Sequence, residues 1–138
     1  MSGEYVETLK RRAVKLLQVA RSIEDAGLAL FLAEQSAQLY IKAVHYELLG
    51  EKVRGHGLRE LLGLFARSLR EAGYEKEADA ITGLALEHRR ALALLEEAYT
   101  MGRYGTYVYG SEDVEIAVRT VEKLVETLEK VAKSVKLG

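Results

Sequence analysis

Apolar residues recur at spacings of three and four along nearly the whole chain, and this period constrains the fold more than any other feature. It is cleanest near the end, where Val114, Val118, Val121, Val125, Leu128, Ala132 and Val135 follow one another without a miss. Near the start, Val6, Leu9, Ala13, Leu16, Leu17, Ala20 and Ile23 draw one apolar stripe over Tyr5 to Glu24. The segment Leu28 to Leu49 is apolar on most of its circumference, as a helix covered by several neighbours must be, and Gly50 ends it. Two more helices are predicted: Leu58 to Ala72 with Gly73 as stop, and Glu75 to Glu97 with Gly83 tolerated inside at about 1 kcal/mol. Ser111 is the expected N-cap of the last helix, with Glu112 and Asp113 on the positive end of its dipole. The brief Tyr-rich piece from Thr106 to Tyr109 is too short and too Gly-flanked for a strand. The expectation is an all-α fold: one domain over residues 1–138, a five-helix up-and-down antiparallel bundle.

Composition removes several functions. The chain has no Cys, which excludes a disulfide framework, a thiolate metal site and a Cys nucleophile. Twenty basic residues against 21 acidic give a net charge of −1, so no global positive field draws in a polyanion. No apolar run approaches the roughly 18 residues that span a bilayer, and MSGEYVETLKRR lacks an apolar signal core. A soluble cytoplasmic protein is expected.

Helix alternation points to a site. In an up-and-down bundle the links Gly50 to Gly57 and Thr100 to Gly110 emerge at the same end, beside the N-termini of the helices that follow. Those links carry Lys52, Arg54, His56 and Arg103, with Glu51 as their one carboxylate. Four of the chain's eight tyrosines, Tyr99, Tyr104, Tyr107 and Tyr109, fall there as well. One reading has Arg103 pairing with a phosphate while tyrosine rings stack on a base or donate hydrogen bonds. The other has the tyrosines capping the open end of the bundle, with Arg103 anchoring the loop. Gln35 and Lys42 lie on a stripe with Leu28, Leu32, Leu39 and Tyr46. Polar groups there either serve a ligand or are satisfied at a helix or subunit boundary, with Lys42 snorkelling.

Familiar chemistries fail on spacing. None of His45, His56 and His88 has a Glu three residues earlier, so the di-iron pattern fails. Glu-x-x-Glu pairs occur, as at Glu126 and Glu129, but these flank Val125 and Leu128 and read as a solvated face. Glycines in RGHGLRELLG follow no strand, which excludes a dinucleotide fold. No metal, cofactor or catalytic set is expected.

Three pieces together resemble the HEPN family of small helical domains. AEQSAQLYIKAVHYELLG (Ala33 to Gly50) is similar to the family's central helix, and GHGLRELL (Gly55 to Leu62) to its His-x-Leu-x-x-Leu start of the next. YTMGRY (Tyr99 to Tyr104) is similar to the family's Tyr-x-x-x-Arg-Tyr signature, although Gly105 follows where Pro is usual. The resemblance implies a five-helix bundle of stand-alone prokaryotic type, commonly a homodimer, often encoded beside a minimal nucleotidyltransferase in toxin–antitoxin-like systems. Ribonuclease relatives carry Arg, four to six residues, then His. No Arg stands at that distance before any His here, so RNA cleavage by that pair is disfavoured. The first expectation is therefore a non-catalytic nucleotide- or phosphate-binding module. The alternatives are a ligand-free oligomerisation and docking protein, or an RNA-cleaving enzyme with atypical residues.

Overall fold

A computed structural model describes residues 2–101, 104 and 108–138. Its described residues form helices α1 (Ser2–Ser22), α2 (Ala26–Leu49), α3 (Leu58–Glu71), α4 (Glu75–Glu87), α5 (Arg89–Met101) and α6 (Ser111–Leu137). The all-helical expectation holds, but the described residues form six helices rather than five. The segment expected as one helix from Glu75 to Glu97 bends at His88, whose backbone leaves the helical region at φ −107°, ψ 23°. Hydrogen bonding continues through the bend, from His88 N–H to Leu84 and from Leu92 N–H to His88. The bend lets one stripe serve two sets of neighbours: α4 packs chiefly on α3 and α6, and α5 chiefly on α2.

Helix α2 is the central strut. Buried Ala13 and Ala20 on α1 face buried Ala29, Ala33 and Ala37 on α2, and these small side chains bring the backbones close. Ser36 Oγ accordingly donates to the Ala13 carbonyl on the neighbouring helix at 2.7 Å. Phe65, Leu30, Ile41, Leu95, Leu124 and Leu128 fill the centre, each almost wholly buried. Fully burying a side chain of this size is worth about 2 kcal/mol, so such a core outweighs any single polar contact.

Polar contacts fix the helix directions. Tyr5 meets Tyr46 with ring centroids 4.9 Å apart while Ala13 accepts from Ser36, so α1 runs antiparallel to α2. Tyr40 pairs with Glu129 and Glu47 with Lys136, so α6 runs parallel to α2. The start of α3 lies beside Glu96, which is close enough to Glu34 to repel its charge. Further along, Phe65 meets His45 at 5.1 Å and Ser68 bonds Glu51. Helix α3 thus runs in the same sense as α2, which departs from simple up-and-down alternation. The link 50–57 makes this geometry feasible. Eight extended residues reach about 26 Å, enough to return along most of α2 before α3 begins. His45 Nε2 holds Glu51 at 2.8 Å near its start, and Val53 packs on the core along its path.

Helix ends follow glycine chemistry where the sequence placed it. Gly50 adopts φ +69° and returns its N–H to Tyr46. Gly73, at φ +93°, bonds to Arg70 while Tyr74 N–H reaches Leu69, the paired geometry of a Schellman stop. The N-cap of α6 is Gly110 rather than Ser111. Asp113 supplies the cap from inside the helix by accepting the Gly110 N–H at 2.9 Å.

Candidate functional site

The end of the bundle where α5 finishes carries a ladder of three rings. Tyr99 stacks on Phe31 of α2, with centroids 5.7 Å apart and planes within 3°. The His56 ring also lies 5.1 Å from Tyr99, tilted at 48°. The ladder exists because the link returns along α2, delivering His56 and the start of α3 to the level of Phe31. Arg54 is exposed two residues before His56. Tyr109 bonds Glu97 Oε1 through its hydroxyl at 3.0 Å, which ties the entry of α6 to α5. Tyr104 is 67% exposed. Arg103 and Tyr107 lie outside the described residues.

Lys52 does not belong to this group. Its ammonium sits 4.5 Å from the Tyr5 ring centroid and 5.7 Å from that of Tyr46. Fifteen residues of α2 separate Tyr46 from Phe31, about 22 Å at the helical rise. The expectation that both links converge at one end therefore holds for the last residues of the first link and fails for its start. A link of eight residues spans both ends.

The N-termini of α2, α3 and α6 all open toward the ring-bearing end, and at each a carboxylate already takes one backbone donor. Asp25 accepts from Leu28 N–H at 3.1 Å and Asp113 serves Gly110. At α3 the Glu96 carboxylate takes the Arg59 backbone N–H at 3.1 Å. It also grips the Arg59 guanidinium through Nε at 2.8 Å and Nη2 at 3.1 Å.

Behind the ladder, α2 buries a carboxylate that the sequence reading missed. Glu34 is fully buried. Gln38 donates to its Oε2 at 2.7 Å and Gln35 to its Oε1 at 3.0 Å. Burial pushes the Glu34 carboxyl up to about 7; the two amides and the Lys42 charge pull the other way, and Glu96 adds repulsion. Gln35 is therefore part of a Glu34 network, and Lys42 lies half-buried within its electrostatic reach. A signal existed in the sequence: Glu34 and Gln38 are four apart on the same helical face as Leu30 and Ile41, with His45 beyond them.

A second polar cluster joins α1, α2 and α6 on another side. Lys10 bridges Glu47 at 3.0 Å and Glu129 at 2.8 Å, Tyr40 donates to Glu129 at 2.6 Å, and Lys136 pairs with Glu47 at 2.8 Å. Burial works against ionising Glu47 and Glu129. Lys136 and Lys10 for Glu47, with Lys10 and Tyr40 for Glu129, outweigh it and hold both below the ordinary carboxylate range. Burial, then the Glu129 carboxylate, raises the Tyr40 phenol. Glu129 is exposed, as expected of that face, yet tied to two neighbouring helices; Glu126 pairs within its own helix, with Lys123 and Lys130.

Chemically, the ring-bearing end can stack a planar group and offer imidazole and guanidinium donors. No helix among the described residues is long and apolar enough to cross a membrane. A family model described as the HEPN domain matches residues 6–131. No curated protein and no solved structure matches the chain.

Proposed function

We propose, from the premise that this chain belongs to the HEPN domain family, that it is a non-catalytic module binding a nucleotide or similar phosphorylated group at its ring-bearing end. It works as a pair of identical subunits, alongside a minimal nucleotidyltransferase. The observation that carries the ligand reading is the Phe31–Tyr99–His56 ladder, with Arg54 next to it in the chain. Aromatic faces accept any base, and stacking is worth roughly 1–3 kcal/mol per base. Arg103 and Tyr104 follow Tyr99 directly in the chain and supply charge and a hydroxyl in this reading; Tyr107 and Tyr109 complete the tyrosine set. Lys52, beside Tyr5 and Tyr46, has no part in this reading.

The absence of an Arg at four to six residues before any His supports a binding rather than a cleaving role. Calorimetric titration with ATP, ADP and GTP tests the reading. Saturable heat is expected, reduced at least tenfold in affinity by Tyr99→Ala or Arg103→Ala and unchanged by Lys52→Ala. No saturable heat, or heat indifferent to Tyr99 and Arg103, sinks it.

A further inference from the structure

The end of the bundle away from the ring ladder carries two tyrosines set as walls around a cation. Tyr5 of α1 and Tyr46 of α2 meet edge to face, with centroids 4.9 Å apart and planes at 74°. The Lys52 ammonium stands 4.5 Å from the first centroid and 5.7 Å from the second. Both lie within the roughly 6 Å over which an aromatic face attracts a cation. Lys52 is exposed and makes no ion pair among the described residues. Its neighbour Glu51 bonds His45 and Ser68 instead. The ammonium thus settles on the two rings with no carboxylate to draw it there. Beside the pair lies an open depression of about 480 Å³, whose lining joins Tyr46 to Val6, Glu7 and Glu47. Glu47 is engaged by Lys10 and Lys136, whereas Glu7 is exposed and has no salt bridge among the described residues.

We propose that Tyr5 and Tyr46 form a binding site for a small quaternary ammonium ion, with Lys52 as the built-in occupant that the ligand displaces. Hydration and tethering select this class of cation. Lys52 carries a strongly hydrated primary ammonium, and its short tether to α2 gives it an effective concentration on the order of millimolar at the rings. A free primary amine is the same group without the tether, so it displaces Lys52 only above that concentration. A quaternary ammonium has no N–H to leave unsatisfied against the rings, and it presents alkyl groups to both faces. The depression beside Tyr46 gives its substituents room, and Glu7 supplies a counter-charge there. Lys52 is then a competitor rather than a contact, so removing its charge strengthens binding. Any contact residue has the opposite sign.

The site lies about 22 Å along α2 from Phe31, and the proposal does not depend on the nucleotide reading. Titration with tetramethylammonium chloride tests it, with amide chemical shifts compared against sodium chloride at equal ionic strength. Saturable shifts are expected at Val6, Tyr46 and Gly50 to Lys52, with none at His56. Lys52→Gln should tighten the affinity by at least about threefold, the share of the cage that the tethered ammonium no longer holds. Tyr5→Leu should abolish saturable binding with helical circular dichroism retained, while Tyr5→Phe keeps the ring face and should bind as the wild type does. Equal shifts with sodium chloride, or an affinity in Lys52→Gln no tighter than in the wild type, overturns the proposal. So does binding kept in Tyr5→Leu or lost in Tyr5→Phe.

Discussion

Replacing Glu34 by glutamine should make the protein more stable at neutral and alkaline pH and leave a smaller difference in acid. Glu34 is wholly enclosed, and its folded carboxyl releases its proton near 7 where the unfolded chain releases it near 4.5. Below 4.5 both states hold the proton and no charge is buried. As pH rises from 4.5 to about 7 the unfolded state sheds its proton first, so stability drains away; above that the full cost stands. At about 1.4 kcal/mol per pH unit, the window corresponds to about 3 kcal/mol. The introduced amide would keep one acceptor for Gln38 or Gln35 and offer its NH₂ to the other after that side-chain amide turns over, so both contacts have a counterpart. Urea unfolding of wild type and Glu34→Gln from pH 4 to 8 gives the difference directly. Subtraction cancels Glu47 and Glu129, whose depressed carboxyls act in the opposite direction. The expected difference grows with pH by up to about 3 kcal/mol in favour of the variant and flattens above about pH 7. Parallel stability curves would refute the claim that a charge is buried at Glu34.

Three further outcomes follow from named contacts. Glu96→Ala should cost about 1–2 kcal/mol in urea unfolding because it strips the backbone cap from α3, while Arg59→Ala, which leaves that cap, should cost under about 1 kcal/mol. Tyr40→Phe should lower stability by about 1 kcal/mol, seen as a lower melting temperature, since Glu129 loses a charge-assisted bond. Lys10→Met should flatten the acid side of the pH profile. Glu47 and Glu129 contribute above their ordinary 4.5 and lose that contribution as pH falls beneath it; a profile with unchanged acid loss would separate Lys10 from that effect.

Much of this architecture was legible because helix periodicity and glycine stops are local properties. Gly50 and Gly73 end helices as read, and the last helix runs as its valines demand. The bend at His88 was not legible, because Ala78, Ile81, Leu84, His88, Leu92, Leu95 and Ala98 keep one unbroken stripe across it. The direction of α3 was hidden for a different reason: eight link residues suit a turn or a full return equally well. Half of the candidate site was visible as a Tyr and Arg cluster. Phe31 was not, since a stacking partner on another helix leaves no local trace, and Glu96 capping α3 is likewise a contact between distant segments. Lys52 misled because nearness in sequence to His56 was read as nearness in space.

The central claim is that ligand binds at the ring-bearing end, and amide chemical-shift mapping during titration with ADP tests it most directly. The account predicts saturable shifts concentrated at His56 to Arg59 and Glu97 to Met101, with little change at Val6 or at Gly50 to Lys52. Shifts centred on the Tyr5–Tyr46–Lys52 corner, or none at saturating ADP, would contradict it.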